Sequence, residues 1–396
     1  MKVLVTGARG FVGKNLVAAL EAVRDGKDRR SLYEPLHPLE IFEYDRDSDP
    51  DTLDSYCAEA DFVFNLAGVN RPKDASEFME GNRDFASTLL SLLEKHGNTA
   101  PVMLASSAQA SLEGRYAGSE YGKSKLAGEG VFRDYARRTG ADVLIYRFPN
   151  LYGKWCRPNY NSAVATFCHN IAHDLPITVN DESTELELLY IDDVVSALMG
   201  NLVGIVDRDE DGLCHAGPTD RKTLGEIVAL LRGFKAARAS LDVPDVTNGS
   251  FSKKLYSTYL SYLDPADCAY GLKMNVDARG SFTEVVRSVD RGQVSINVSK
   301  PGVVKGQHWH HTKWEKFCVV SGEGLIRLRK IGKDEQGREY PAVEYRVSGE
   351  KLEVVEMLPG YTHSIANLSD TKDMVTLMWC NECFDADNPD TFYEEV

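Results

Sequence analysis

The sequence predicts two domains of different class: an α/β doubly wound parallel sheet, then an all-β barrel or jelly roll. Three observations carry this expectation. Residues 1–13 read as a short apolar strand, a tight glycine turn and the start of a helix. Strand–helix alternation then runs to about residue 200, without repeats or low-complexity tracts. From Gly280 onward the texture changes to short alternating strands, such as 293–298 and 325–329, separated by Gly-rich or charged turns like the hairpin loop at 332–338. The expected boundaries are 1–245 for the first domain with its substrate lobe, 246–275 for a connecting segment and 276–396 for the β domain.

In the opening segment, Gly7-Ala-Arg9-Gly10-Phe11-Val-Gly13 follows the apolar strand and leads into an amphipathic helix carrying Leu16, Val17, Leu20 and Val23. Glycines here allow the turn, close approach of a pyrophosphate and tight helix–strand packing, while the helix N-terminus attracts the anion. Glycines alone often make only a turn, so the flanking strand and helix matter. The second strand is expected at 40–44, followed by Asp45-Arg46. An acid there suits the ribose hydroxyls of NAD, whereas cations suit the extra phosphate of NADP. Asp45 argues for NAD, Arg9 and Arg46 for NADP, and the expectation is NADP. Phe62, Val63 and Phe64 lead into Asn65-Leu66-Ala67-Gly68, and Val102, Met103 and Leu104 lead to Ser106-Ser107.

Tyr121 and Lys125 follow, one helical turn apart on one face. The positive charge of Lys125 is expected to lower the phenol's pKa, so that Tyr121 exchanges a proton near neutral pH, with Ser107 orienting a carbonyl. Such a pair taken singly is usually an exposed helix pair, and Lys123 lies off the Tyr121 face as a solvated residue. Further on, 224–231 reads as a late helix, 242–252 as a Pro/Gly/Asn-bearing connection and 254–263 as a packed helix. In the β domain, His308 and His310 alternate onto one face of a strand, and Glu315 follows across a short turn. His363 lies in Pro359-Gly360-Tyr-Thr-His363-Ser-Ile-Ala-Asn367. Imidazoles and a carboxylate so collected suit a divalent transition metal.

Composition bounds the function. At 396 residues and 43% hydrophobic content the chain can bury two sizeable cores. A net charge of −15 disfavours nucleic acid or anionic membranes as partners. No apolar run approaches the roughly 20 residues of a membrane helix. Met1 leads straight into the first strand, so no signal peptide is expected and the enzyme is expected to be cytoplasmic. Eight scattered Cys read as reduced thiols, and Cys380-Asn-Glu-Cys383 reads as core packing.

The glycine spacing G-x-x-G-x-x-G, Asn65-Leu66-Ala67-Gly68, Ser107 and the Y-x-x-x-K pair come in an order that resembles the extended short-chain dehydrogenases. That resemblance implies a Rossmann-like doubly wound parallel sheet. It also implies a nicotinamide cofactor held by Gly7, Arg9, Gly10, Phe11, Gly13, Arg46, Leu66, Ala67, Gly68, Tyr121, Lys125 and Pro149. Arg147-Phe-Pro149-Asn150-Leu-Tyr152-Gly153 resembles the R-x-x-N-x-Y-G segment of those members that bind nucleotide sugars, where the Asn touches the diphospho-sugar. Tyr190-Ile-Asp192-Asp193 resembles their later [HY]-x-D-D-[VI] element, although a turn and helix cap explain the two Asp equally well. Asn150, Arg157 and Tyr190 are the implied substrate contacts.

The run G-x5-H-x-H-x4-E-x6-G over 302–322 resembles the first motif of the cupin barrels, and 359–367 resembles the second. The family usually has one more residue between Pro359 and Gly360. Asp277-Ala-Arg279-Gly280-Ser-Phe282-Thr-Glu284 resembles the opening of the 4-keto-sugar 3,5-epimerases. In those epimerases the His matching His308 is the catalytic base, and many lack the metal. His308 is therefore ligand or base.

The fusion, with Trp155-Cys-Arg157-Pro-Asn-Tyr-Asn161 after Gly153, resembles the CapF-type family of capsular-polysaccharide enzymes over essentially the whole chain. The resemblance implies a homodimer with zinc in its cupin domain. It further implies a bifunctional enzyme acting on a UDP-linked 4-keto-6-deoxy-amino sugar. The cupin would epimerise C3 of a UDP-2-acetamido-2,6-dideoxy-4-keto-hexose. The dehydrogenase domain would reduce C4 with NADPH to the L-talose product, on the route to UDP-N-acetyl-L-fucosamine. Departures lie at 24–36 and at the Pro359-Gly360 turn. The competing reading is a 4-ketoreductase whose cupin only dimerises the chain around a structural metal. An Fe(II) oxygenase is disfavoured by the fourth ligand, His363. A 4,6-dehydratase is disfavoured because only the isolated Glu113 and Glu120 lie between Ser107 and Tyr121.

Overall fold

Strand β1 (Lys2–Thr6) leads through a turn into helix α1 (Phe11–Arg24) and pairs in parallel with β2 (Glu40–Tyr44) and, after α2 (Pro50–Glu59), with β3 (Phe62–Asn65). Its side chains alternate between two cores. Val3 and Val5 join Leu16, Leu20 and Leu198 on one face, while Leu4 joins Val63, Leu89 and Phe132 on the other. A strand buried on both faces needs no polar alternation, which explains the unbroken apolar run. The computed structural model describes residues 1–74, 76–288 and 290–396.

The chain continues through α3 (Ser76–Met79), α4 (Phe85–Lys95), β4 (Val102–Ser107), α5 (Glu120–Thr139), β5 (Val143–Phe148) and β6 (Asn150–Tyr152). Next come α6 (Ala163–Ala172), β7 (Glu185–Tyr190), α7 (Ile191–Asn201), β8 (Leu213–Cys214), β9 (Asp220–Thr223), α8 (Leu224–Ser240) and α9 (Phe251–Leu260). Six strands form one parallel sheet in the order β2-β1-β3-β4-β5-β8, and β6-β7-β9 form a small separate sheet. The strand order reverses between β1 and β3, so a crevice opens beyond their carboxyl ends, the usual ligand position in such sheets. Helix α5 starts where the Ser119 hydroxyl accepts the Gly122 N–H at 2.9 Å and stops at Gly140, φ +75°. The irregular stretch at 24–36 folds in part as a 3₁₀ turn that buries Tyr33 and Leu36.

The second region is antiparallel. Strands β10 (Met274–Asp277), β11 (Gly280–Ser288), β12 (Gly292–Ser299), β13 (Val304–Trp309), β14 (Glu315–Ser321) and β15 (Glu323–Lys330) come first. Then follow β16 (Val343–Ser348), β17 (Val354–Met357), β18 (Tyr361–Asn367), β19 (Met374–Cys380) and β20 (Phe392–Tyr393). They form two sheets, β10-β11-β12-β19-β14-β17 and β16-β15-β18-β13-β20. Both sheets supply one core: Phe317, Val319, Val355, Met357 and Met374 from the first, Ile326, Leu328, Val347 and Ile365 from the second. This is the expected all-β cupin-like barrel.

The compact units are Met1–Arg232 with Asn248–Leu263, and Gly233–Thr247 with Asp264–Val396. The segment 246–275, expected as a connection, is thus divided between them. Helix α9 buries Phe251, Leu255 and Tyr259, and its contacts with α6 make it part of the first unit. Residues 233–247 belong to the second unit, where the Val243 N–H donates to the Arg287 carbonyl at 2.8 Å. Among the described residues, no helix is long and apolar enough to cross a membrane.

Candidate functional site

In the first unit the glycine turn is locked by contact. Gly7 has φ +68°, and a Cβ there would lie 2.8 Å from the Ala67 nitrogen; one at Gly13 would lie 2.2 Å from the Gly7 carbonyl. Any larger residue would push α1 off the turn. Helix α1 has no acid in its first turn and no side-chain cap at Gly10, so its amides are free to meet an anion. The turn lines a cavity of about 920 Å³. Of the expected cofactor and substrate residues, Gly7, Arg9, Gly10, Phe11, Gly13, Leu66, Gly68, Ser107, Tyr121, Lys125, Pro149, Asn150 and Arg157 line it. Ala67 instead backs the glycine turn.

Arg46 and Tyr190 depart from expectation. Arg46 is exposed and outside the cavity lining. Tyr190 packs against Tyr152, ring centroids 5.4 Å apart, with the Lys254 ammonium 5.9 Å from its ring centroid. That packing turns Tyr190 into the small sheet's own core rather than into the cavity. Asp192 and Asp193 lie in the first turn of α7, which has no side-chain cap, and are ion-paired with Lys154 and Lys254 respectively. At the cofactor end, Asp45 accepts the Arg9 N–H at 2.8 Å, and the Arg9 guanidinium pairs with Asp47 at 2.6 Å.

Ser107, Tyr121 and Lys125 come together, but with different electrostatics from those expected. Burial pushes the Tyr121 phenol up to about 12, against a smaller downward pull from its hydrogen bond with Ser107. The expected lowering by Lys125 does not prevail. Lys125 itself is brought down to about 8 by burial, while Glu129 favours its charged form. Its ammonium lies 5.9 Å from the Tyr121 ring centroid and donates to the Ala105 carbonyl at 3.0 Å. Lys123 is exposed and pairs with Glu120, as expected of a solvated residue.

Two groups escape sequence reasoning. Glu129, only 1% exposed, takes both guanidinium N–H groups of Arg147 at 2.8 and 2.7 Å and the Ser106 hydroxyl at 2.6 Å. Its one available signal is spacing, since it follows Lys125 by one more helical turn. Tyr160, in the cavity lining, lies between two guanidiniums, Arg157 at 5.3 Å and Arg71 at 5.8 Å from its ring centroid. Its one signal is its place in the 155–161 segment that carries the family resemblance.

In the second unit His308, His310, Glu315 and His363 converge, with candidate ligand atoms all within 4.8 Å of one another. His308 and His363 are directly opposed on β13 and β18, and Glu315 enters from β14 of the other sheet. His363 Nε2 lies 3.2 Å and His310 Nε2 3.7 Å from Glu315 Oε2. These buried atoms make no satisfactory hydrogen bond. Three convergent N and O atoms left unpaired in the interior, with the partly buried His308 beside them, fit a divalent cation. Burial, then the neighbouring His363, lowers His308 to about 4. Burial opposes ionisation of Glu315, yet His310 and His363 together hold its carboxyl well below the usual range. The shortened Pro359-Gly360 turn is well formed: Gly360 has φ +74°, and its N–H donates to the His310 carbonyl at 2.8 Å.

Residues 3–202 match the NAD dependent epimerase/dehydratase family, and residues 275–392 match the polysaccharide biosynthesis C-terminal domain. The chain is 41% identical over 392 residues to the UDP-2-acetamido-2,6-beta-L-arabino-hexul-4-ose reductase of Pseudomonas aeruginosa, covering 99% of this chain and 98% of that one. The crystal structure of the capsular polysaccharide assembling protein CapF from Staphylococcus aureus superposes with TM-score 0.87 at 47% identity over 100% of both chains. A UDP-glucuronic acid 4-epimerase from Bacillus cereus, in complex with NAD, shares the fold over 66% of this chain and 96% of that one, with TM-score 0.51 at 20% identity. The chain belongs to the NAD dependent epimerase/dehydratase family and, within it, to the CapF-type enzymes, which join that domain to a polysaccharide biosynthesis C-terminal domain.

Proposed function

We propose that this chain is a bifunctional nucleotide-sugar enzyme of capsular polysaccharide or O-antigen precursor synthesis. Its cupin unit epimerises C3 of a UDP-2-acetamido-2,6-dideoxy-4-keto-hexose. Its dehydrogenase unit then reduces the C4 ketone to UDP-2-acetamido-2,6-dideoxy-L-talose. The observation that carries the reading is the assembly of Ser107, Tyr121 and Lys125 on the cavity that also holds the glycine turn. Full-length likeness to a protein named as a UDP-hexul-4-ose reductase supports the substrate class.

NADPH would be held by Gly7, Gly10 and Gly13 and would supply the hydride. Arg9 lines the cavity, and its guanidinium, once freed from Asp47, would be the group that favours NADPH over NADH. Ser107 and Tyr121 hold the C4 carbonyl, and Tyr121 gives its proton to the oxygen as charge develops there. Lys125 holds the ribose and keeps a positive charge beside the phenol. Arg157 and Tyr160 offer charge and an aromatic face to the UDP moiety.

A divalent metal, taken here as zinc, would be held by His308, His310, Glu315 and His363 and would supply Lewis acidity. His308 is ligand or base: left off the metal, this one partly exposed member of the set is the side chain a sugar can reach to give up its C3 proton. The C3 proton is acidic only while C4 is a ketone, because the carbanion delocalises as an enolate. Reduction destroys that activation, so it comes second and traps one epimer. The family resemblance also supports a homodimer working in the cytoplasm.

The test is incubation with the UDP-4-keto sugar in deuterated water. Without NADPH, deuterium should enter C3; with NADPH, NMR should assign the product as the L-talo isomer. Reduction without C3 exchange would leave the cupin as a dimerisation module only.

A further inference from the structure

We propose that residues 390–396 form a positioning strap that builds the histidine cluster, with Asp390 setting His310 and Gln307 transmitting the strap's hold to His308. The inference rests on the metal reading of the cluster given above.

The first attachment is at Asp390. Its carboxylate accepts the backbone N–H groups of His311, Thr312 and Lys313, each at 2.9 Å, and the Thr312 hydroxyl at 3.2 Å. One side chain thereby fixes three of the four residues between His310 and Glu315, and Asn381 Oδ1 accepts the N–H of the fourth, Trp314. The Asp390 carbonyl meets His310 Nδ1 at 2.6 Å. A carbonyl oxygen can only accept, so Nδ1 carries the proton. That leaves the lone pair on Nε2, the buried atom that faces Glu315 without a hydrogen-bond partner. Such an outer hydrogen bond orients a ligating imidazole and raises its basicity. Asp390 holds this position with φ +36°, a backbone angle that its surroundings must enforce.

The second attachment is at Gln307. Pairing of β13 with β18 slips between Gly306 and His308, and Gln307 at the slip has φ +63°. This bulge places His308 opposite His363. A non-glycine residue in that conformation costs of order 1–3 kcal/mol unless neighbours over-determine it. The strap supplies them: the Glu394 N–H donates to the Gln307 carbonyl at 3.0 Å, and the Val396 N–H to its Oε1 at 2.9 Å. Strand β20 pairs alongside, setting Tyr393 opposite His308 and Phe392 opposite Trp309, whose rings stack at 4.8 Å. The strap is anchored in turn by the buried Arg329, which donates to Glu394 at 3.0 Å, and by the Thr362 hydroxyl on the Glu394 carbonyl.

The experiment uses the full chain and reads metal affinity rather than turnover. Zn(II) binding is measured by competition with a chromogenic chelator, and ligand geometry by the visible spectrum of the Co(II) form. A chain ended after Pro389, which removes the carbonyl on His310 Nδ1, should weaken Zn(II) about 10–100-fold, the range for lost outer-shell partners. Asp390→Ala, which keeps that carbonyl but releases the turn, should weaken it toward the lower end of that range. Both should also shift the Co(II) bands. Gln307→Gly in the shortened chain should recover part of the affinity, because glycine adopts that φ unaided. Asp390→Asn, which keeps size and one acceptor, should lose less than Asp390→Ala but in the same direction. Parent-like affinity and spectrum in Asp390→Ala and Asp390→Asn would overturn the strap. Failure of the parent chain to bind Zn(II) would overturn the metal reading itself.

Discussion

A phenol held at about 12 stays protonated through the neutral range, so in the proposed reduction Tyr121 would enter as an acid. That suits hydride addition, where the developing alkoxide is far more basic than a phenolate and draws the proton across. Tyr121→Phe should therefore abolish NADPH oxidation by roughly 10²–10⁴-fold while leaving cofactor binding and C3 exchange intact. Stopped-flow absorbance and deuterium incorporation, measured on one preparation, check both halves. Lys125 titrates from the opposite side. It is an ammonium below about 8 and neutral above it, so kcat/KM for reduction should fall as pH rises through about 8. Glu129 favours the charged form, so Glu129→Gln should move that fall to lower pH. An unmoved profile in Glu129→Gln would mean that Lys125 does not set it. Ser107, Tyr121 and Lys125 are legible in the sequence because each stands at a fixed distance from an apolar strand or one helical turn from its partner. Glu129 is less so, because its meaning depends on Arg147 and Ser106, 18 and 23 residues away.

At the level of elements, the barrel strands bring together in space what the alternation pattern only hints at. Period-2 reasoning finds His308 and His310 on one face, and the short turn finds Glu315. It misses the bulge at Gln307, where a non-glycine residue follows Gly306 into positive φ. It also misses Asp390, whose partners lie 77–80 residues away. Long-range hydrogen bonds of this kind leave no local trace. The cluster they shape makes the barrel sensitive to metal and acid. His310→Ala should lose most bound metal, measured by elemental analysis, and should lower the unfolding midpoint of the second unit. Three of the four tryptophans, Trp309, Trp314 and Trp379, belong to that unit, so intrinsic fluorescence follows it. The metal-free barrel should also be acid-labile. His308 is lowered to about 4 in the fold from an ordinary 6.5, so between these values the unfolded chain binds the extra proton. Stability is then complete above about 6.5 and is lost progressively as pH falls toward about 4. A midpoint in denaturant that stays flat from pH 7 to 5 after chelation would contradict this.

For the whole molecule, the two-domain plan is legible because hydrophobic texture switches from buried parallel runs to short alternating strands near Gly280. The exact division is not, because the helix that belongs to the first unit follows residues that belong to the second. This changes how the division of labour can be tested. A fragment cut at 245 would lose α9, and with it Leu255 and Tyr259, which are 0% and 1% exposed. Removing even one such buried side chain typically costs about 2–5 kcal/mol, so the fragment should unfold rather than report on cofactor binding. Point variants of the intact chain avoid that problem. Tyr121→Phe should incorporate solvent deuterium at C3 but make no reduced sugar. His308→Gln should bind NADPH normally but neither exchange C3 nor form the inverted product. Mixing the two with substrate and NADPH should restore the L-talo product, because the epimerised ketone released by one variant can be captured by the other. Product should appear after a lag that shortens as total protein rises if that intermediate travels through solution. If His308→Gln alone makes the C3-inverted sugar, epimerisation happens at the Tyr121 cavity, and the barrel must be assigned another task.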